Sequence, residues 1–249
     1  MRKLILVLAG LGVLGVVLGR MIDRWRTSWG VLPIETLKTF PGDDLVPDAT
    51  STETRGITID APPSAVWPWL VQMGYGRGGW YSYDPIDMGQ PSAIAILPEH
   101  QQLAVGDLLP TDPGGGFEVK ILEPEQALVA YTNTELVKAQ RETARADGAE
   151  AASANVQATG AAMTFAQPGE FAASWAFILE PLDADRTRLV ERFRIWFGGD
   201  EQPWMRYTMP LMGFGVFVMI RRQLLGIRER AERLARDGAP EPALAPGVR

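Results

Sequence analysis

One carboxylate in this sequence stands where it could do chemistry. In the run TRLVERFRIWF, Thr187 to Phe197, Glu191 shares period-two parity with Leu189, Phe193, Ile195 and Phe197. If that face lines a cavity, the carboxylate is desolvated and its pKa rises, which suits acid–base work or recognition of a ligand hydroxyl. Reversed parity, a place in water at a cavity mouth, or a partner on a neighbouring strand would each make it an ordinary carboxylate. Arg192 and Arg194 have the other parity and are expected to point outward. Asp84 and Asp87 are close enough to form a pair of carboxylates at a pocket entrance, or to cap a helix and a turn. His100, the single histidine, sits in polar company in LPEHQQ and reads as a surface-loop residue. One histidine makes no typical zinc site, and without cysteine there is neither a thiolate site nor a disulfide. No metal and no cofactor are expected.

The stretch GYGRGGWYSYD, Gly74 to Asp84, mixes glycines with aromatics. Glycines there could cradle a phosphate. A dinucleotide loop, however, needs a strand before the glycines and a helix after them, and a P-loop ends in Gly-Lys-Ser/Thr. Here the preceding segment APPSAVWPWLVQMG reads as a helix. Pro62 and Pro63 suit its start, Val66, Trp69, Leu70 and Met73 share one face, and Gly74 ends it. The stretch is therefore either the bendable, aromatic rim of an apolar pocket or a loop carrying core aromatics. The candidate ligand-binding set is Trp69, Met73, Trp80, Tyr81, Tyr83, Trp175, Phe177, Glu191 and Phe193, and plain core packing is the alternative for the aromatics.

These residues need a frame. TRGITID, Thr54 to Asp60, reads as a half-buried strand, and LAVGDLLPT and FEVKILEPEQALVAYT as further strands around a glycine turn at 114–116. FAASWAFILEPL and TRLVERFRIWF form a hairpin through DADR, residues 183–186, with Phe171, Ala173, Trp175, Phe177 and Leu179 on one face. Residues 134–163 are alanine-rich, a surface helix or, as their few aromatics favour, a disordered insertion. From PWMRYTMPLMG onward the chain becomes amphipathic to Leu234 and reads as one long helix packed on a sheet. The expected fold class is α+β, a curved antiparallel sheet wrapped around a long C-terminal helix, with room for a ligand between them.

ITIDAPPSAVWPWLVQMGYGRGGWYSYD, LAVGDLLP, TRLVERFRIWF and IRRQLLGIRERAE resemble the START-like helix-grip superfamily of polyketide cyclase/dehydrase and lipid-transport proteins (SRPBCC), in particular a membrane-anchored subgroup. The resemblance covers roughly residues 54–235 apart from the insertion, and its first segment is the most specific. It implies a deep apolar cavity and, across members, lipid or polyketide binding, aromatase/cyclase chemistry or chaperoning. It does not imply one reaction.

The N-terminus differs from the rest. Leu4 to Gly19 carry no charge. Sixteen helical residues span roughly 24 Å, and Arg20, Met21 and Ile22 bring the length near the roughly 30 Å of a bilayer core. The basic GRMIDRWR that follows offers no small-residue cleavage site, so an uncleaved anchor is expected over a signal peptide. Arginines and lysines are nearly balanced across the span, with a lean to a cytoplasmic body. The expected organisation is an anchor at 1–26, a linker at 27–53, a helix-grip domain at 54–235 with the insertion at 134–163, and a disordered tail at 236–249. A formal charge of −6 argues against nucleic-acid binding. The expected function is membrane-anchored binding of a hydrophobic small molecule or lipid. The alternatives are a cyclase/aromatase-like enzyme using Glu191, or an interaction module whose interior is filled by its own side chains.

Overall fold

The computed structural model describes residues 2–87, 91–146, 170–198 and 205–238. Helix α1 covers Arg2–Thr27, followed by a short helix α2 at Pro33–Leu37 and a 3-10 turn at Asp43–Leu45. Next come strand β1 (Ser51–Ile59), helix α3 (Pro63–Val71) and one helical turn α4 (Asp84–Asp87). Then follow β2 (Leu108–Asp112), β3 (Gly115–Glu123), β4 (Ala127–Asn133), helix α5 (Thr134–Ala146), β5 (Phe171–Pro181), β6 (Thr187–Phe197) and helix α6 (Met205–Asp237). The strands form one curved, wholly antiparallel sheet in the order β1-β6-β5-β4-β3-β2. With α6 across its inner face, this α+β architecture is consistent with a helix grip.

Period-two alternation builds the inner face. Ala173, Trp175, Phe177 and Leu179 of β5 join Leu189 and Ile195 of β6 and Leu128 and Ala130 of β4 in one core. In β3 the register slips between Val119 and Ile121. That slip reverses the parity, so Phe117 and Val119 face the inner core while Ile121 packs outside. Helix α3 ends at Val71, before the expected Gly74; it buries Val66, Trp69 and Leu70, and Met73 is buried just beyond its end. Helix α6 buries Phe217, Ile220, Leu224, Ile227 and Ala231, spaced by three and four. At Gly226 a Cβ would lie 2.1 Å from the Tyr81 carbonyl oxygen, so glycine lets α6 and the aromatic loop meet backbone to backbone.

The segment expected as a linker is instead a strap over the outer face of the sheet. Phe40 is buried against Ala127, Val129, Ala176, Ile178 and Val190. Gly42 turns there with φ +87°, where a Cβ would lie 2.4 Å from Val129 Cγ1. The strap is held by β6 arginines that point outward, as expected of Arg192 and Arg194, and whose guanidiniums are taken up by strap carbonyls and carboxylates. Arg192, 3% exposed, donates to the carbonyl oxygens of Glu35 and Lys38, each at 2.8 Å, and to Asp43 Oδ2 at 2.7 Å, with its guanidinium 4.5 Å from the Phe40 ring centroid. Arg188 grips the Glu35 carboxylate with two bonds of 2.7 Å. Carbonyls that would otherwise be buried without partners explain why β6 alternates arginine with apolar residues.

The first part of the expected insertion is helix α5, and Asn133 caps it: its Oδ1 accepts from Leu136 N at 2.8 Å. Residues 147–163 lie outside the described residues, as does the expected tail beyond Gly238, while 236 and 237 complete α6. The far end of α1 docks on the domain: Trp25 and Trp29 meet Phe217 at ring-centroid separations of 4.8 and 6.4 Å. Before that contact Leu14, Val16, Val17, Leu18, Met21 and Ile22 are all exposed. Among the described residues no helix is long and apolar enough to cross a membrane.

Candidate functional site

An open cleft lies between the inner face of the sheet, the loop at 80–82 and α6. Its wall is aromatic. Trp80 stacks on Trp175 with centroids 5.3 Å apart and planes 22° from parallel. Phe117 meets Trp175 edge-on at 5.6 Å, and Phe193 does so at 6.4 Å. Val216, Met219 and Ile220 of α6 close the opposite side. The interior is thus not filled by the protein's own side chains.

Into this apolar surface β1 and β6 set a charged cluster. Arg55 and Glu191 are directly opposite on β1 and β6, and both side chains are buried. Arg55 Nη1 donates to Glu191 Oε2 at 3.2 Å, and Trp175 Nε1, diagonal on the next strand, donates to Glu191 Oε1 at 2.9 Å. Arg55 Nη2 donates to Glu53 Oε2, two residues along on the same face. Arg55 Nε donates to the Arg26 carbonyl at 3.0 Å, and Arg26 Nη1 donates to Glu53 Oε1 at 2.7 Å. The last turn of α1 is therefore wired into the cavity wall.

Burial pushes the Glu191 carboxyl up to about 7, opposed by the Arg55 charge and assisted by that of Glu53. Burial works against the charged form of Arg55, but the two carboxylates outweigh it and hold the guanidinium above its ordinary value. The cluster can stay ionised, or hold a proton at Glu191 near neutral pH.

The other candidates scatter. Trp80, Trp175, Glu191 and Phe193 are on the cavity wall. Trp69, Met73, Tyr81 and Phe177 are core residues, none more than 2% exposed. Tyr83, expected on the wall, is 41% exposed, because the loop turns outward after Ser82. Tyr81 is pinned instead, with φ +59°, its hydroxyl donating to the Trp69 carbonyl at 3.0 Å and burial raising its pKa. The glycine loop is a clasp: Gly74 and Gly79 exchange both backbone bonds at 3.2 Å, while Arg77 donates to the carbonyls of Val71, Met73 and His100. That guanidinium is spent on backbone carbonyls, two at the end of α3 and one in the turn at Pro98–His100. Asp84 Oδ1 accepts from Ser92 Oγ at 2.5 Å, a loop fastening, while the Asp87 side chain lies outside the described residues. His100 ends a 3-10 turn at the rim of α3. Among the described residues no three His, Asp or Glu side chains could hold a metal ion.

Arg55 and Glu53 were not picked out from the sequence, although they share the parity of Ile57 and Ile59. Further polar wall residues were missed as well, Ser82, Thr132 and Gln223 among them.

No protein-family model and no curated protein matches this sequence. Several solved structures are similar. A conserved protein from Geobacillus kaustophilus is 14% identical, with 74% of this chain and 97% of that one covered and a TM-score of 0.37. The ZhuI aromatase/cyclase from Streptomyces sp. R1128 is 14% identical, over 76% and 99% of the two chains, with a TM-score of 0.32. A polyketide-cyclase-like protein from Corynebacterium glutamicum is 16% identical, over 75% and 90%, with a TM-score of 0.26. Likenesses this distant bear on neither substrate nor activity.

Proposed function

We propose that this chain binds a hydrophobic small molecule or lipid in the cavity between its sheet and α6. The observation that supports this reading is the open, aromatic-walled cleft itself. An apolar space lined by stacked indoles gains from any flat or aliphatic surface that displaces water from it. The neutral probe N-phenyl-1-naphthylamine should bind the detergent-purified full chain saturably, with enhanced fluorescence. Met219→Trp, which fills cavity space from α6, should weaken that binding at least about tenfold. Non-saturable binding, or equal binding by the variant, would refute the reading.

We further propose that α1 anchors the chain in a membrane, single-pass, with the domain on the cytoplasmic side. Support comes from the uncharged run Leu4–Gly19 and from the exposure of Leu14, Val16, Val17, Leu18, Met21 and Ile22 along α1. The full chain should then resist alkaline carbonate extraction from membranes, and its domain should be protected from protease added outside intact cells. Release by carbonate would rule the anchor out.

A second reading, cyclase-like acid–base catalysis by Glu191, has one observation in its favour: a carboxyl pushed up to about 7 on the cavity wall. Both its oxygens are already hydrogen-bonded and the residue is 0% exposed, which favours binding over proton transfer.

A further inference from the structure

We infer that the cavity takes an uncharged apolar ligand bearing a hydroxyl, which Gln223 and Thr132 read. This deepens the binding reading above and rests on it. Three residues of the wall each carry a buried side-chain atom without a hydrogen-bond partner among the described residues: Ser82 Oγ, Thr132 Oγ1 and Gln223 Oε1. They come from three separate parts of the wall, the loop after α3, strand β4 and helix α6. Gln223 is 2% exposed and Thr132 4% exposed. The Gln223 amide nitrogen reaches only Met73 Sδ, at 3.7 Å. Buried polar atoms without partners are costly, and on a binding wall they are completed by the ligand.

The chemistry of those atoms narrows the ligand. An amide oxygen accepts only, so the ligand must donate to it, and a carboxylate has no proton to offer. A hydroxyl donates to Gln223 and can donate to or accept from Thr132 and Ser82. The charged cluster does not call for an anion either. All three Arg55 nitrogens already donate, to Arg26, Glu191 and Glu53. The wall as a whole sets Arg55 and Arg141 against Glu53, Asp112 and Glu191, so no excess of positive charge meets a carboxylate. An anionic ligand would lose its hydration here without gaining a counter-charge.

Three ring compounds matched in size separate the possibilities: 2-naphthol, 2-methylnaphthalene and 2-naphthoate, titrated at neutral pH into the full chain and followed by tryptophan quenching. The naphthol should bind about three- to tenfold more tightly than the methyl compound, and the naphthoate more weakly than either. Gln223→Leu should bring naphthol down to the level of methylnaphthalene while leaving the latter unchanged. Thr132→Val, which conserves shape, should act in the same direction. Equal binding of all three compounds, tightest binding of the naphthoate, or an undiminished naphthol preference in both variants would overturn the inference while leaving an apolar binding cavity. Failure of all three to bind would overturn both.

Discussion

Replacing Arg55 by methionine will destabilise the fold by about 3–5 kcal/mol at about pH 8. Methionine retains the apolar stem and removes only the fork. Glu191 would keep the indole N–H of Trp175 and lose its counter-charge, at a position with no access to water. Glu53 would retain Arg26, and the Arg26 carbonyl would lose its donor. The cost arises from the stranded carboxylate rather than from the worth of the pair, since two charges brought out of water repay little of their desolvation. Pairing Arg55→Met with Glu191→Leu should therefore recover most of the loss, a coupling that a double-mutant cycle in urea measures directly. A loss under about 1 kcal/mol in the single variant would mean the pair behaves like an exposed one.

Glu191→Gln will change how stability depends on pH. In the folded chain burial, only partly opposed by Arg55, raises this carboxyl to about 7 from an ordinary 4.5. The folded state therefore holds a proton that the unfolded chain has released. Between these values stability falls as pH rises: the contribution is complete below about 4.5 and gone above about 7. At about 1.4 kcal/mol per tenfold change in proton activity, the group accounts for about 3 kcal/mol. Glutamine has no proton to lose. Relative to the unchanged protein, the variant should gain about 3 kcal/mol on passing from about pH 4.5 to about pH 7.5, read from urea midpoints across that window. A difference flat with pH would contradict the burial of this carboxylate. The same titration should shrink the Arg55→Met penalty at about pH 5, where Glu191 is protonated.

The sheet was legible because its two-residue alternation is strong. Ala173, Trp175, Phe177 and Leu179 share the inner face with Leu189 and Glu191, as their spacing predicts. The same alternation runs through Glu53, Arg55, Ile57 and Ile59, but the strand was expected to begin at Thr54 with Glu53 in the linker, so the partner of Glu191 was passed over. Parity also cannot foretell what covers the other face. Arg192 points outward as expected, yet the strap carrying Phe40 lies over it, and nothing periodic marks that strap. Nor does spacing tell which side chains on an inner face border the cavity. Trp175 and Phe177 alternate identically, but only the first lines the hollow, because the second lies under the packed helices. Ser82, Thr132 and Gln223 are common polar residues whose importance lies in missing partners, a property that exists only in three dimensions.

A single guanidinium ties the carbonyl at the end of α1 to the carboxylate of β6, while Phe217, one position along α6 from Val216 on the cavity wall, rests against Trp25. The base of the first helix and two sides of the hollow thus share one set of contacts.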